Sequence, residues 1–98
     1  MCSRTLAAAP GDADPPEDAY EQARICLDIV AKALGEAGAR LDDVVRTRIY
    51  VTDGAYIDGV GRAHREAFAR ARPATTGIVT ALLDPRWRVE IEAEAYVA

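Results

Sequence analysis

The chain has 98 residues, is half apolar, and carries sixteen acidic against twelve basic side chains for a net charge of −4. That describes one globular domain over residues 1–98, and the scattered arginines count against nucleic acid as a partner, which requires concentrated positive charge. The single histidine, His64, has no second histidine or cysteine near it, so no metal set is expected. Cys2 and Cys26 form no CxxC pair, and neither a secretory h-region nor a run long enough to span a membrane precedes the domain, so a soluble cytoplasmic protein is expected. A core this small has no disulfide or metal staple, which makes self-association a reasonable expectation.

In chain order, residues 1–6 form a short stub with strand character, and residues 8–17, rich in proline, glycine and acids, read as an exposed loop. Asp18 is placed to cap a helix, with Glu21 three residues on to complete a capping box. Ala23, Cys26, Leu27, Val30, Ala33, Leu34 and Ala37 then recur at steps of three and four, the stripe of an amphipathic helix running to about Ala37. Gly38 ends it, since glycine enters the left-handed region without a Cβ clash.

After a turn at Leu41, Asp42 and Asp43, a strand from Val44 to Thr52 alternates. Val45, Thr47, Ile49 and Val51 are expected on one face, with Arg46, Arg48 and Tyr50 on the other. Tyr56 to about Arg70 reads as a second helix with Val60, Ala63, Ala67 and Phe68 inward, ended by Arg72-Pro73. A strand is expected from Ala74 to Leu82, a turn at Asp84, Pro85 and Arg86, and a last strand from Arg88 to Val97. Its inward set is Val89, Ile91, Ala93, Ala95 and Val97, and Glu90, Glu92 and Glu94 lie outward.

The order strand, helix, strand, helix, strand, strand describes an α+β fold: a mixed β-sheet with both helices on one face. On its other face the acids of the last strand would meet Arg46 and Arg48 if the two strands are neighbours, each opposed pair contributing up to about 1 kcal/mol. A solvated sheet face is the plain alternative.

Four stretches resemble the RidA (YjgF-like) family: Ala37 to Val45, Arg48-Ile49-Tyr50-Val51-Thr52-Asp53, Arg72-Pro73-Ala74-Thr75-Thr76, and Val89-Glu90-Ile91-Glu92-Ala93. The likeness runs from Asp18 to the C-terminus and extends less clearly to Cys2-Ser3-Arg4-Thr5, with most of the family's amino-terminal hairpin missing. It implies a homotrimer whose polar sheet faces meet, small-molecule ligand sites in clefts between subunits, no cofactor, and hydrolysis of reactive enamines and imines such as 2-aminoacrylate.

The resemblance also implies site residues. The family's water-orienting glutamate corresponds to Glu90, the candidate catalytic group; a member of the charged strand face is its plain alternative. The family's carboxylate-holding arginine corresponds to Thr75, whose hydroxyl lacks the charged bidentate fork, so a substrate other than 2-aminoacrylate is expected. Gly77 and Ser3 match cleft positions, and Trp87 stands where it could roof the cleft, a core or interface aromatic being the alternative. Thr75 and Gly77 share one side of their strand and are expected, like Glu90, to face away from the helices, with the site between subunits around them. Arg72, Arg86 and Arg88 are candidates to replace the lost cation. His64 is expected at the surface or a subunit contact, and Cys26 as a buried thiol.

Together these expectations describe a deaminase-like hydrolase, with a non-catalytic ligand-binding or chaperone-like trimer as the alternative. Ribonuclease activity, assigned to some members of the family, fits poorly with the acidic balance. A truncated remnant or a misassigned start codon is a further alternative, because the chain begins in what should be the second strand.

Overall fold

A computed structural model describes residues 2–6 and 16–97. Five strand residues come first, β1 (Cys2–Leu6), followed by α1 (Ala19–Glu36), β2 (Val44–Val51), α2 (Ile57–Ala67), β3 (Ala74–Val79) and β4 (Val89–Tyr96). Single 3₁₀ turns, Leu41–Asp43 and Gly54–Tyr56, lead into β2 and α2. Most of the expected 8–17 loop lies outside the described residues.

Among the described residues the sheet has four strands in the order β1-β4-β2-β3. β4 pairs antiparallel with β1 and β2, and β2 pairs parallel with β3 across the α2 connection, as a strand-helix-strand unit requires. The helices cover one face, where Ala23, Val30 and Leu34 of α1 and Val60 of α2 pack on Ile49, Val51, Val89 and Ile91. The mixed sheet with both helices on one side is the expected α+β architecture.

α1 follows its apolar stripe, with Ala37 as C-cap and exposed. Gly38 takes φ +84°, and the Ala39 amide donates to the Leu34 carbonyl at 2.8 Å, closing a Schellman turn. Asp18 is the N-cap residue, but its side chain makes no capping bond and the box with Glu21 does not form. Gln22 holds the helix entry instead: its amide Nε2 donates to the Pro16 carbonyl at 2.7 Å.

β2 departs from the expected alternation at its first two residues. A bulge between Val44 and Arg46 puts Val44 inward and leaves Val45 about half exposed, because the extra residue of a bulge takes the side chain ahead of it out of phase. From Thr47 on, the alternation holds. β3 is shorter than expected, and β4 alternates buried and half-buried residues along most of its length. On the sheet's open face Arg46 lies opposite Glu94 and Arg48 opposite Glu92, with the second pair closed as an ion pair of 2.7 Å.

Candidate functional site

The parallel register places Thr75 beside Thr47 and Gly77 beside Ile49. Thr47 and Ile49 are buried toward the helices, so Thr75 and Gly77 point to the helix side of the edge strand. A Cβ built on Gly77 would lie 3.7 Å from Ile57 Cδ1, at the start of α2. Glu90 lies opposite Tyr50, on the other face of the sheet. The expectation that Thr75, Gly77 and Glu90 all face away from the helices is thus corrected, because a strand parallel to β2 and in register with it shares its in-out phase.

Ser3 lies opposite Ala95 on β1, at the far edge of the sheet from β3. Within one chain the sheet therefore brings Thr75 and Gly77 together and keeps Ser3 and Glu90 apart from them. Glu90 is half-buried, and among the described residues its side chain has neither a hydrogen bond nor an ion pair.

Trp87 does not roof a cleft but takes its alternative place as a core aromatic, 5% exposed. Gln22 explains its position. Its Nε2 donates to the Arg86 carbonyl at 3.1 Å and its Oε1 accepts from the Arg88 amide at 2.7 Å, clamping the chain on both sides of the indole and turning it inward. Of the candidate replacement cations, Arg86 is paired with Asp84 at 2.8 Å and Arg88 donates to the Tyr56 hydroxyl at 2.7 Å. Arg72 has no ion pair among the described residues and lines a cleft.

That cleft, of about 450 Å³, opens beside β3 between His64, Phe68, Pro73 and Thr75, with Arg65 and Arg72 at its sides. His64 is not a surface residue: it is 9% exposed, its ring tilts against Phe68 at 4.7 Å between centroids, and its Nε2 lies 2.8 Å from Thr47 Oγ1. Thr47 Oγ1 lies 2.9 Å from Thr75 Oγ1, and Thr75 is also 3.4 Å from His64 Nε2 and 3.1 Å from the Pro73 carbonyl. Burial, with the Arg65 guanidinium adding to it, holds the imidazole below its ordinary value and so neutral near pH 7. Sequence reasoning missed this cluster. Its signal was Thr47, a hydroxyl in the inward set of a buried strand, which needs a polar partner that only another element can supply.

Cys26, by contrast, is the expected buried thiol, pushed up to about 12 by burial and by the neighbouring charge of Glu90. Among the described residues no group of histidine, cysteine and carboxylate side chains is arranged to hold a metal ion, and no helix is long and apolar enough to cross a membrane.

A mixed sheet with two helices on one face, and a polar cluster at its parallel edge, defines the class as an α+β domain with a candidate site beside its edge strand. The family model described as Endoribonuclease L-PSP matches residues 2–97, and the chain belongs to that family, the YjgF/RidA family. A solved member of the YjgF/YER057c/UK114 family from Mycobacterium tuberculosis is 46% identical, with a TM-score of 0.82 over 97% of this chain and 75% of its own. An uncharacterized protein of Streptomyces coelicolor is 38% identical over 88% of this chain and 62% of its own length. The 3-aminoacrylate deaminase RutC of Acinetobacter baylyi is 31% identical over 82% of this chain and 64% of its own. The chain thus spans less than two thirds of these two curated relatives.

Proposed function

We propose that this protein is a homotrimeric, cofactor-independent hydrolase of a small imine, enamine or related carbonyl compound, with its sites between subunits. The observation that carries the reading is the position of Thr75: it stands where the resemblance places a carboxylate-holding arginine, its hydroxyl opens on a cleft, and its partners are neutral. A deaminase among the relatives supports the reaction class. Glu90, half-buried and unpaired on the opposite face, reaches such a cleft only from a neighbouring copy, where it would orient the attacking water.

The substrate differs from 2-aminoacrylate. Replacing a charge-assisted bidentate contact by one hydroxyl costs on the order of 2–4 kcal/mol, or some tens to nearly a thousand-fold in rate. The test is ammonia release from a panel of three compounds generated in situ: 2-aminoacrylate, 3-aminoacrylate and an uncharged ketimine. Turnover of the uncharged ketimine, with both carboxylate-bearing aminoacrylates slow, is expected. No turnover of any of the three would sink the hydrolase reading in favour of non-catalytic ligand binding. Rapid 2-aminoacrylate turnover would mean that another cation, Arg72 foremost, has taken over the arginine's role.

A further inference from the structure

We propose that the Thr75 hydroxyl is the outer end of a proton relay that runs through Thr47 to His64, so that the cleft beside β3 is an acid–base site for adding water to a C=N or C=O carbon. This assignment rests on the hydrolase reading for its natural substrate, but not for its chemistry.

The geometry is a chain of three polar groups running from solvent into the core. Thr75 is exposed on the cleft, Thr47 is 1% exposed behind it, and His64 closes the inner end. The successive separations of 2.9 Å and 2.8 Å are both hydrogen bonds of ordinary length for hydroxyl donors. Each hydroxyl has one proton, so the chain has a direction. An imidazole nitrogen is far more basic than an alcohol oxygen, which favours Thr47 donating to His64 Nε2 and Thr75 donating to Thr47. His64 Nδ1 then carries the ring proton. The opposite direction would start at an Nε2–H and end on the Pro73 carbonyl, 3.1 Å from Thr75 Oγ1.

The charged groups beside the ring are Arg65 on its own helix and Arg72 ahead of β3, while β2 and β3 present the hydroxyls of Thr47 and Thr75. Both charges are positive, so the imidazole stays neutral and able to accept. None of this requires an arginine at position 75. The threonine there supplies a proton path in place of a charge.

The step balances without redox change. Water bonded to Thr75 gives up a proton as Thr75 passes its own to Thr47 and Thr47 passes its own to His64. The oxygen adds to the imine carbon, the C=N π pair moves to nitrogen, and the proton held on His64 returns along the relay to that nitrogen, giving a carbinolamine. The carbinolamine hydroxyl proton then reaches nitrogen by the same route, the C–N bond breaks, and ammonia leaves from the new carbonyl. Imine and water become carbonyl compound and ammonia.

Two measurements test the relay, and neither needs the natural substrate. The chain has one histidine, so its ring nitrogens give an unambiguous ¹⁵N spectrum. The Nδ1–H tautomer is expected, with a changed ring titration in Thr47→Val. An Nε2–H tautomer, or a Thr47→Val ring that titrates like wild type, overturns the relay. The second measurement is hydrolysis of p-nitrophenyl acetate as a generic carbonyl probe. Wild type should accelerate it with a rate that rises through the His64 titration to a plateau. Thr75→Val, on an exposed strand with little risk to folding, should lose at least about tenfold, and Thr75→Ser should recover most of that loss. Thr47→Val should lose as much, and Arg70→Gln, whose exposed side chain points to Asp42 and does not line the cleft, nothing. A Thr75→Val rate and pH profile equal to wild type overturn the relay, even if the imine panel is turned over. Probe hydrolysis that depends on Thr75 and Thr47, with no imine turned over, keeps the relay and removes the imine substrate.

Discussion

His64 shows how one buried group ties stability to pH. Its folded-state value is held below the ordinary 6.5 by burial and by Arg65. As pH falls through about 6.5 the unfolded chain takes up a proton that the folded chain refuses. The stabilisation is therefore present above that pH and is lost as pH drops toward the folded value. Urea midpoints at fixed protein concentration should fall between pH 7.5 and 5.5 in wild type and fall less in His64→Gln. Arg72 acts in the opposite sense. It holds φ +47°, a left-handed conformation that is costly for any residue with a Cβ because the Cβ crowds the following carbonyl oxygen. Its amide donates to the Phe68 carbonyl at 3.0 Å and so stops the chain beyond α2 just before Pro73. Arg72→Gly should raise the unfolding free energy by up to about 1 kcal/mol, read as a higher urea midpoint, because glycine occupies that region freely.

The elements differ in how much of them the amino-acid pattern carried. α1 and β4 were legible because their periods are long and unbroken: the stripe from Ala23 to Leu34 and the alternation from Val89 to Ala95 each reach the core as read. The start of β2 was not, since Val44 and Val45 are both valine and only the pairing with β4 decides which of them turns inward. The phase of β3 was misjudged for a related reason: its six residues are all exposed, so no apolar alternation marks a face, and its orientation is inherited from β2. The core position of Trp87 depends on Gln22, a polar residue whose partners lie 64 and 66 positions away. Gln22→Ala should remove three hydrogen bonds, those to the Pro16 and Arg86 carbonyls and from the Arg88 amide. The expected loss is about 3 kcal/mol, measured by urea unfolding, together with a red shift in the emission of the single tryptophan before unfolding as the indole becomes wet.

On the scale of the whole molecule, the sheet's open face carries the Arg48–Glu92 pair, the unpaired Glu90, and exposed apolar groups at Val45, Ile78 and Tyr96. Such a face, beside a wholly exposed edge strand, favours burial against other copies. Light scattering should give three times the chain mass. A monomer mass independent of concentration would remove the inter-subunit site along with the trimer. Glu90→Gln should abolish any hydrolysis found while leaving the trimer mass unchanged. Loss of the trimer in that variant would assign Glu90 to assembly and not to chemistry.

β4 comes last of the described strands in the chain, yet it lies inside the sheet between β1 and β2. Until it emerges from the ribosome, β1 has no neighbour in the sheet, and β2 has only β3. The β2-α2-β3 unit can form early, since its contacts are close in sequence, whereas β1 must wait with its edge unpaired across most of the domain's length. Closure of the sheet thus waits on β4, and a newly made chain remains a target for chaperones or for other unpaired strands until that strand is released.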